Sequence, residues 1–186
     1  FLMSVGYDLY LRLLEEAVLE EQGKPVEKPT WCTADFAVPA AIPEKYIPAP
    51  EQRMDLYRRI AALRTPEDES ELTDELLDRY GDVPPPVTAL LRVALLRAAA
   101  MDCGVTDITQ KGRQLVFSFD DRVDPAALLA VCTMAAYRSR AQLSAGAAPR
   151  LTLYMQPGEE PLAAAGALVE ALRLHETDTQ QMNGAQ

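Results

Sequence analysis

Tyr46–Ala62, reading YIPAPEQRMDLYRRIAA, is the stretch around which the chain is organised. Pro48 and Pro50 have no backbone N–H, and Pro48 keeps Ile47 out of the helical region, so the chain must enter extended. A helix then starts. Leu56, Ile60 and Leu63 fall at i, i+4 and i+7, the spacing of one buried stripe, while Arg53, Arg58 and Arg59 point elsewhere. Strand and linker are expected before this stretch and packed helices after it, which makes it the hinge of the fold.

Towards the N-terminus, Leu9, Leu13, Leu14, Ala17 and Val18 keep helical spacing over Asp8 to Gln22, and Gly23 can close that helix. Lys24 to Thr30, with Pro25 and Pro29, reads as a tether. Trp31 to Val38, bounded by Pro39, reads as an edge strand. Towards the C-terminus, Thr65 and Pro66 are a cap and first helical residue, and Leu72, Leu76, Leu77 and Tyr80 are expected on the buried side of a helix ended by Gly81. Pro84, Pro85 and Pro86 form a stiff break before a helix over Val87 to Cys103, capped by Gly104. Val105 to Thr109 and Gln114 to Phe119 read as a hairpin around Lys111, Gly112 and Arg113. Asp124 and Pro125 open a helix to about Ala135. Extended runs follow at Arg138 to Leu143 and Arg150 to Met155, then a last helix over Pro161 to His175. Thr177 to Gln186 has no periodicity and reads as a frayed tail.

These strands do not alternate regularly with helices, so the fold class is α+β: a helical N-terminal half packed on a small, mostly antiparallel sheet with further helices. The character changes near Cys103 to Val105. One compact unit is the expectation.

Charge narrows the partners. Against 28 acidic side chains stand 18 basic ones, a formal net charge of -10 in 186 residues, which phosphate backbones repel, so no direct nucleic-acid partner is expected. Cys32, Cys103 and Cys132 show neither a CxxC nor an even count, which suggests no zinc site and a reducing cytoplasm. No run approaches the roughly 20 apolar residues of a membrane span, and FLMSVGYDLY lacks the basic region and cleavage site of a signal peptide. A start at Phe1 reads as an excerpt from a longer protein.

Motifs for catalysis are missing. His175, near the expected end of its helix, reads as a dipole partner. No serine or cysteine has a base beside it in sequence, and neither GxxxxGK[ST] nor GxGxxG occurs, so no catalytic, cofactor-binding or metal-ligating residue is assigned. Glu67, Asp68, Glu69 and Glu71 cluster at a helix start, where the dipole favours acids. Glu71, Glu75 and Asp78 fall within one narrow arc opposite the leucines. They form either a solvated face or a docking face for an arginine-bearing partner, whose guanidinium groups each carboxylate can bind bidentately.

VGYDLYLRLLEEAV at Val5 to Val18, IPEKYIPAPEQRMDLYRRIA at Ile42 to Ala61 and LTDELLDRYGDVPPPVTALLRVALLR at Leu72 to Arg97 resemble the C-terminal domain of bacterial transcription-repair coupling factor (Mfd). Beyond Val105 the likeness is one of pattern. That family is an ATP-driven translocase that removes stalled RNA polymerase from damaged DNA and recruits nucleotide-excision repair through UvrA. The resemblance implies a division into an N-terminal helix and linker from the preceding parent domain (1–30), the C-terminal domain itself (31–176) and a disordered tail (177–186). It implies no motor, hence no enzyme, but an autoinhibitory interaction domain. Such a domain packs on the UvrB-like module of the same parent chain, covers its UvrA-recognition surface and restrains the translocase, touching UvrA and RNA polymerase only indirectly. By the same resemblance Glu75 and Asp78 occupy the acidic positions of the interface helix; Arg79 and Tyr80 read as structural, since Tyr80 lies on the apolar side. An acidic hydrolase or metal-dependent enzyme assembled in three dimensions and a purely structural module are the competing readings.

Overall fold

The computed structural model describes residues 32–144 and 148–183. The helix expected over Asp8 to Gln22 lies outside them. Two compact units form rather than the one expected: Val38–Leu95, and Cys32–Ala37 together with the chain from Leu96 onward. Their boundary falls inside a helix, before the change of character at Cys103 to Val105. Val87, Leu91 and Ala94 of that helix join one core cluster, and its residues from Leu96 on belong to the other unit.

The first unit is built on helices α1 (Pro50–Ala61) and α2 (Pro66–Tyr80) and the start of α3 (Pro85–Asp102). The proline-rich entry is fixed from within α1. Arg53 Nη1 donates to the carbonyls of Ile47 and Pro48 at 2.8 and 2.9 Å, oxygens that the extended chain cannot pair with itself. At α2 a capping box closes the N-terminus: Thr65 Oγ1 accepts from Asp68 N at 3.1 Å, and Asp68 Oδ2 accepts from Thr65 N at 3.0 Å. Gly81, at φ 78°, ends the helix and donates its N–H to Leu77 O. Pro85 and Pro86 lie in the first turn of α3 rather than in a break before it, because first-turn residues need no intrahelical N–H donor.

Leu56, Ile60, Leu63, Leu72, Leu76 and Leu91 share one core with Ile42 and Ile47. Each such side chain contributes about 1.5–3 kcal/mol by leaving water. Leu77 does not join them. It lies about 100° round the helix from Leu76 and is 45% exposed, whereas Leu72, Leu76 and Tyr80 follow the four-residue stripe.

The second unit holds β1 (Thr33–Asp35), β2 (Val105–Lys111), β3 (Gln114–Phe119), α4 (Pro125–Thr133), β4 (Ala141–Ser144), β5 (Arg150–Tyr154) and α5 (Pro161–Asn183). The strands form one mixed sheet in the order β1-β2-β3-β5-β4, with β1 parallel to β2 and the other neighbours antiparallel. β1 is therefore an edge strand, as its proline-bounded sequence suggests. The hairpin turn is tighter than expected: Lys111 pairs with Gln114, leaving Gly112 and Arg113 in the turn, and Gly112 takes φ 59° at the first central position. Gly104 is fixed by space as well as by its φ of 73°, since a Cβ there would come within 2.8 Å of Val123 N.

Alternate residues along the strands point inward, among them Leu115, Phe117 and Phe119 on β3 and Leu151 and Leu153 on β5. Buried Leu128 and Val131 on α4 and Leu162, Leu168 and Leu172 on α5 supply the apolar faces of the helices, and α4 packs on α5 and against β4. The fold is α+β. Two expectations fail at the C-terminal end. α5 runs past His175 to Asn183, so Thr177 to Asn183 is helical rather than frayed, and His175 sits inside the helix instead of at its C-terminus. Its assigned role as a dipole partner therefore lapses. Among the described residues no helix is long and apolar enough to cross a membrane.

Candidate functional site

The capping box sets where α2 begins, and with it the direction of every side chain on its outer face. Glu71 and Asp78 are exposed, and among the described residues neither has an ion pair or side-chain hydrogen bond. Asp74, which the sequence reading left out, is exposed in the same arc, three residues after Glu71 and four before Asp78. Its spacing alone could have found it. Leu77 borders this arc and is the exposed apolar side chain of α2.

Glu75 differs. Arg59 of α1 grips it with both terminal nitrogens, Nη1 to Oε1 at 2.8 Å and Nη2 to Oε2 at 2.5 Å, and Arg79 Nη1 adds a bond to Oε1 at 3.0 Å. The Arg59 hydrogen bonds first, then that of Arg79, hold the Glu75 carboxyl down to about 2 from an ordinary 4.5. The same contact raises Arg59. Glu75 thus ties α1 to α2, and the structure splits the three expected docking carboxylates: Glu71 and Asp78 are open, and Glu75 is occupied from within. The sequence could not supply this partner, because Arg59 lies sixteen residues away on another helix.

Arg79, itself exposed, lies over Tyr80. The Arg79 guanidinium carbon lies 5.0 Å from the centre of the Tyr80 ring, which meets Tyr46 edge-on at 5.7 Å. Tyr80 OH donates to Gln52 Oε1 at 3.2 Å. Asp68, part of the acidic cluster at the start of α2, is committed to the cap, and the backbone N–H groups of Arg64 and Thr65 lower its pKa.

Two hollows flank the Arg59–Glu75 pair. One, of about 230 Å³, runs over Leu56 and Leu76 towards Tyr80, with Glu51 and Asp55 on its α1 side. The other, of about 190 Å³, lies over Leu63 and Leu72 beside Glu71. Arg59 and Glu75 line both.

A profile of the TRCF domain matches residues 36–128, half of the chain. The chain belongs to the TRCF domain family. The matched region holds all of α1, α2 and α3, and therefore the whole carboxylate face and its Arg59 partner. The transcription-repair-coupling factor of Staphylococcus haemolyticus is 34% identical over 124 residues, 66% of this chain and 11% of the relative. That of Bacillus subtilis is 39% identical over 101 residues, 54% of this chain and 9% of the relative. The TRCF chain thus spans about a tenth of the length of these proteins. In fold it is similar to the crystal structure of the C-terminal domain of transcription-repair coupling factor, with a TM-score of 0.66 at 20% identity over 76% of this chain and 91% of that one.

Proposed function

We propose that this TRCF domain is a non-catalytic interaction domain that keeps its parent coupling factor autoinhibited. The face of α2 carrying Glu71, Glu75 and Asp78 docks on the UvrB-like module of the same parent chain. There it masks the surface that UvrA recognises and restrains the DNA translocase. UvrA and RNA polymerase are affected indirectly, in the cytoplasm, without direct contact between this domain and nucleic acid.

The observation that carries the reading is the pair of open carboxylates, Glu71 and Asp78, held two turns apart on a helix whose start is fixed by a capping box. Carboxylates fixed in place and left without internal partners can accept guanidinium groups from a facing surface at little ordering cost. Desolvated in an interface, such pairs are worth far more than in water. Exposed Leu77 beside them offers an apolar contact of the kind that anchors polar-rimmed interfaces. An intramolecular mask also acts at high effective concentration, so modest contacts suffice to hold it closed and still yield when another conformation gains binding energy.

The test uses the intact coupling factor. Glu71→Lys with Asp78→Lys spares the internal Arg59–Glu75 tie, so a change in binding does not report a loosened α1–α2 pair. The double variant is expected to bind UvrA at least about tenfold more tightly than the parent, as loss of a mask worth ~1.4 kcal/mol requires. Unchanged UvrA affinity, with the variant folded, would contradict masking.

A further inference from the structure

We propose that Arg59 is an internal competitor for Glu75 and thereby sets which cation the α2 face prefers; this deepens the docking function proposed above and rests on it. A carboxylate offers roughly four acceptor positions. Three on Glu75 are taken, two by Arg59 and one by Arg79. The remaining position, on Oε2, accommodates a single N–H. A lysine ammonium needs no more than that. A guanidinium arriving fork-on needs both oxygens, and both are held by Arg59.

Arginine from a partner therefore reaches Asp78 directly but reaches Glu75 bidentately only when Arg59 swings away. Exposure makes that exchange cheap: the Arg59 and Glu75 side chains are 40% and 36% exposed, and ion pairs so open to water are worth little net. The two hollows give the displacement somewhere to lead. Because Arg59 and Glu75 line both, their pair is a crossbar between them, and moving Arg59 joins them into one groove over Leu56, Leu63, Leu72 and Leu76. The groove then has Glu51 and Asp55 at one end and Glu71 at the other. Such a lining suits a partner segment that carries arginine on an apolar stem, since the stem can lie on the leucines while the head pairs with acid.

Arg59→Lys separates this from a simple charge effect, because lysine keeps the positive charge and loses the fork. The probes are a synthetic alanine-based helical peptide carrying two arginines one turn apart and its lysine counterpart. Each is titrated at low salt into the chain while the Glu75 carboxyl carbon is followed by NMR. Arg59→Lys is expected to tighten the arginine peptide about fivefold, the scale of an exposed ion pair, and to leave the lysine peptide within about twofold. Arg59→Gln, which also removes the fork, should give the same preference and serves if lysine disturbs the packing of α1. Overturning results are an arginine peptide that does not tighten, including one that binds neither form, or equal tightening of both peptides. A UvrB-like module that fails to bind while the peptide preference appears would instead refute masking and leave the competition by Arg59 intact.

Discussion

Each unit holds an arginine clamped through two hydrogen bonds on a glutamate more than ten residues away, and these two pairs behave as different devices. Arg140 binds Glu159 at 2.6 and 3.2 Å, with side chains only 15% and 22% exposed. Arg140 also donates to the carbonyls of Ala136 and Tyr154, and Glu159 accepts from Gln156 N. That pair holds the approach to β4, the end of β5 and the loop before α5 in one network of backbone groups. Burial works against the charge of Glu159, yet the bonds from Arg140 and the Gln156 N–H keep its pKa below the usual range. Arg59 and Glu75 share the same fork geometry but are about twice as exposed, and Glu75 is held by the side chains of Arg59 and Arg79. Identical chemistry thus makes a structural clamp where backbone groups depend on it and an exchangeable contact where they do not.

The largest effect should come from breaking the clamp. Arg140→Ala strips donors from Glu159 and two carbonyls, and is expected to cost about 2–3 kcal/mol in urea unfolding, in line with partly buried charged hydrogen bonds. A loss below about 1 kcal/mol would remove the distinction between the pairs. Glu75→Gln should cost clearly less than Arg140→Ala by the same measurement, because its partners stay solvated. A loss as large would make Glu75 a structural residue and count against exchange at this position.

Acid gives a finer comparison. Glu75 has its pKa depressed in the folded chain, so its contribution is complete above its ordinary value of 4.5 and is lost as pH falls towards about 2. The stability difference between the parent chain and Glu75→Gln should accordingly persist at pH 7 and 5 and shrink between pH 4.5 and 2. A difference that survives unchanged at pH 2 would mean that the carboxylate charge is not what ties α1 to α2.

Much of this architecture was legible in local chemistry. Thr65 with Pro66, Asp124 with Pro125, Gly81 as a terminator and Gly112 in a hairpin each act within a few residues, and each stands where such rules place it. Pairings across distance were not legible. β1 lies parallel to β2 through Thr33 opposite Asp107, and β5 inserts between β3 and β4; nothing in a short run of residues specifies either. The same boundary divides the candidate site. Glu71 and Asp78 could be placed on an outer face from helical spacing, but the state of Glu75 depends on where α1 packs. Leu77 was misassigned for a related reason: a leucine next to a buried stripe reads as part of it until the width of the neighbouring helix contact is known.

The most direct measurement of the central claim is a calorimetric titration of this chain with the isolated UvrB-like module at low and high salt. Asp78→Lys, made on the open face, is compared with Glu159→Gln, made in the clamp. Salt-sensitive binding is expected, weakened at least about tenfold by Asp78→Lys and left within about twofold by Glu159→Gln as long as the chain is folded. Binding indifferent to salt and to Asp78→Lys would contradict that claim.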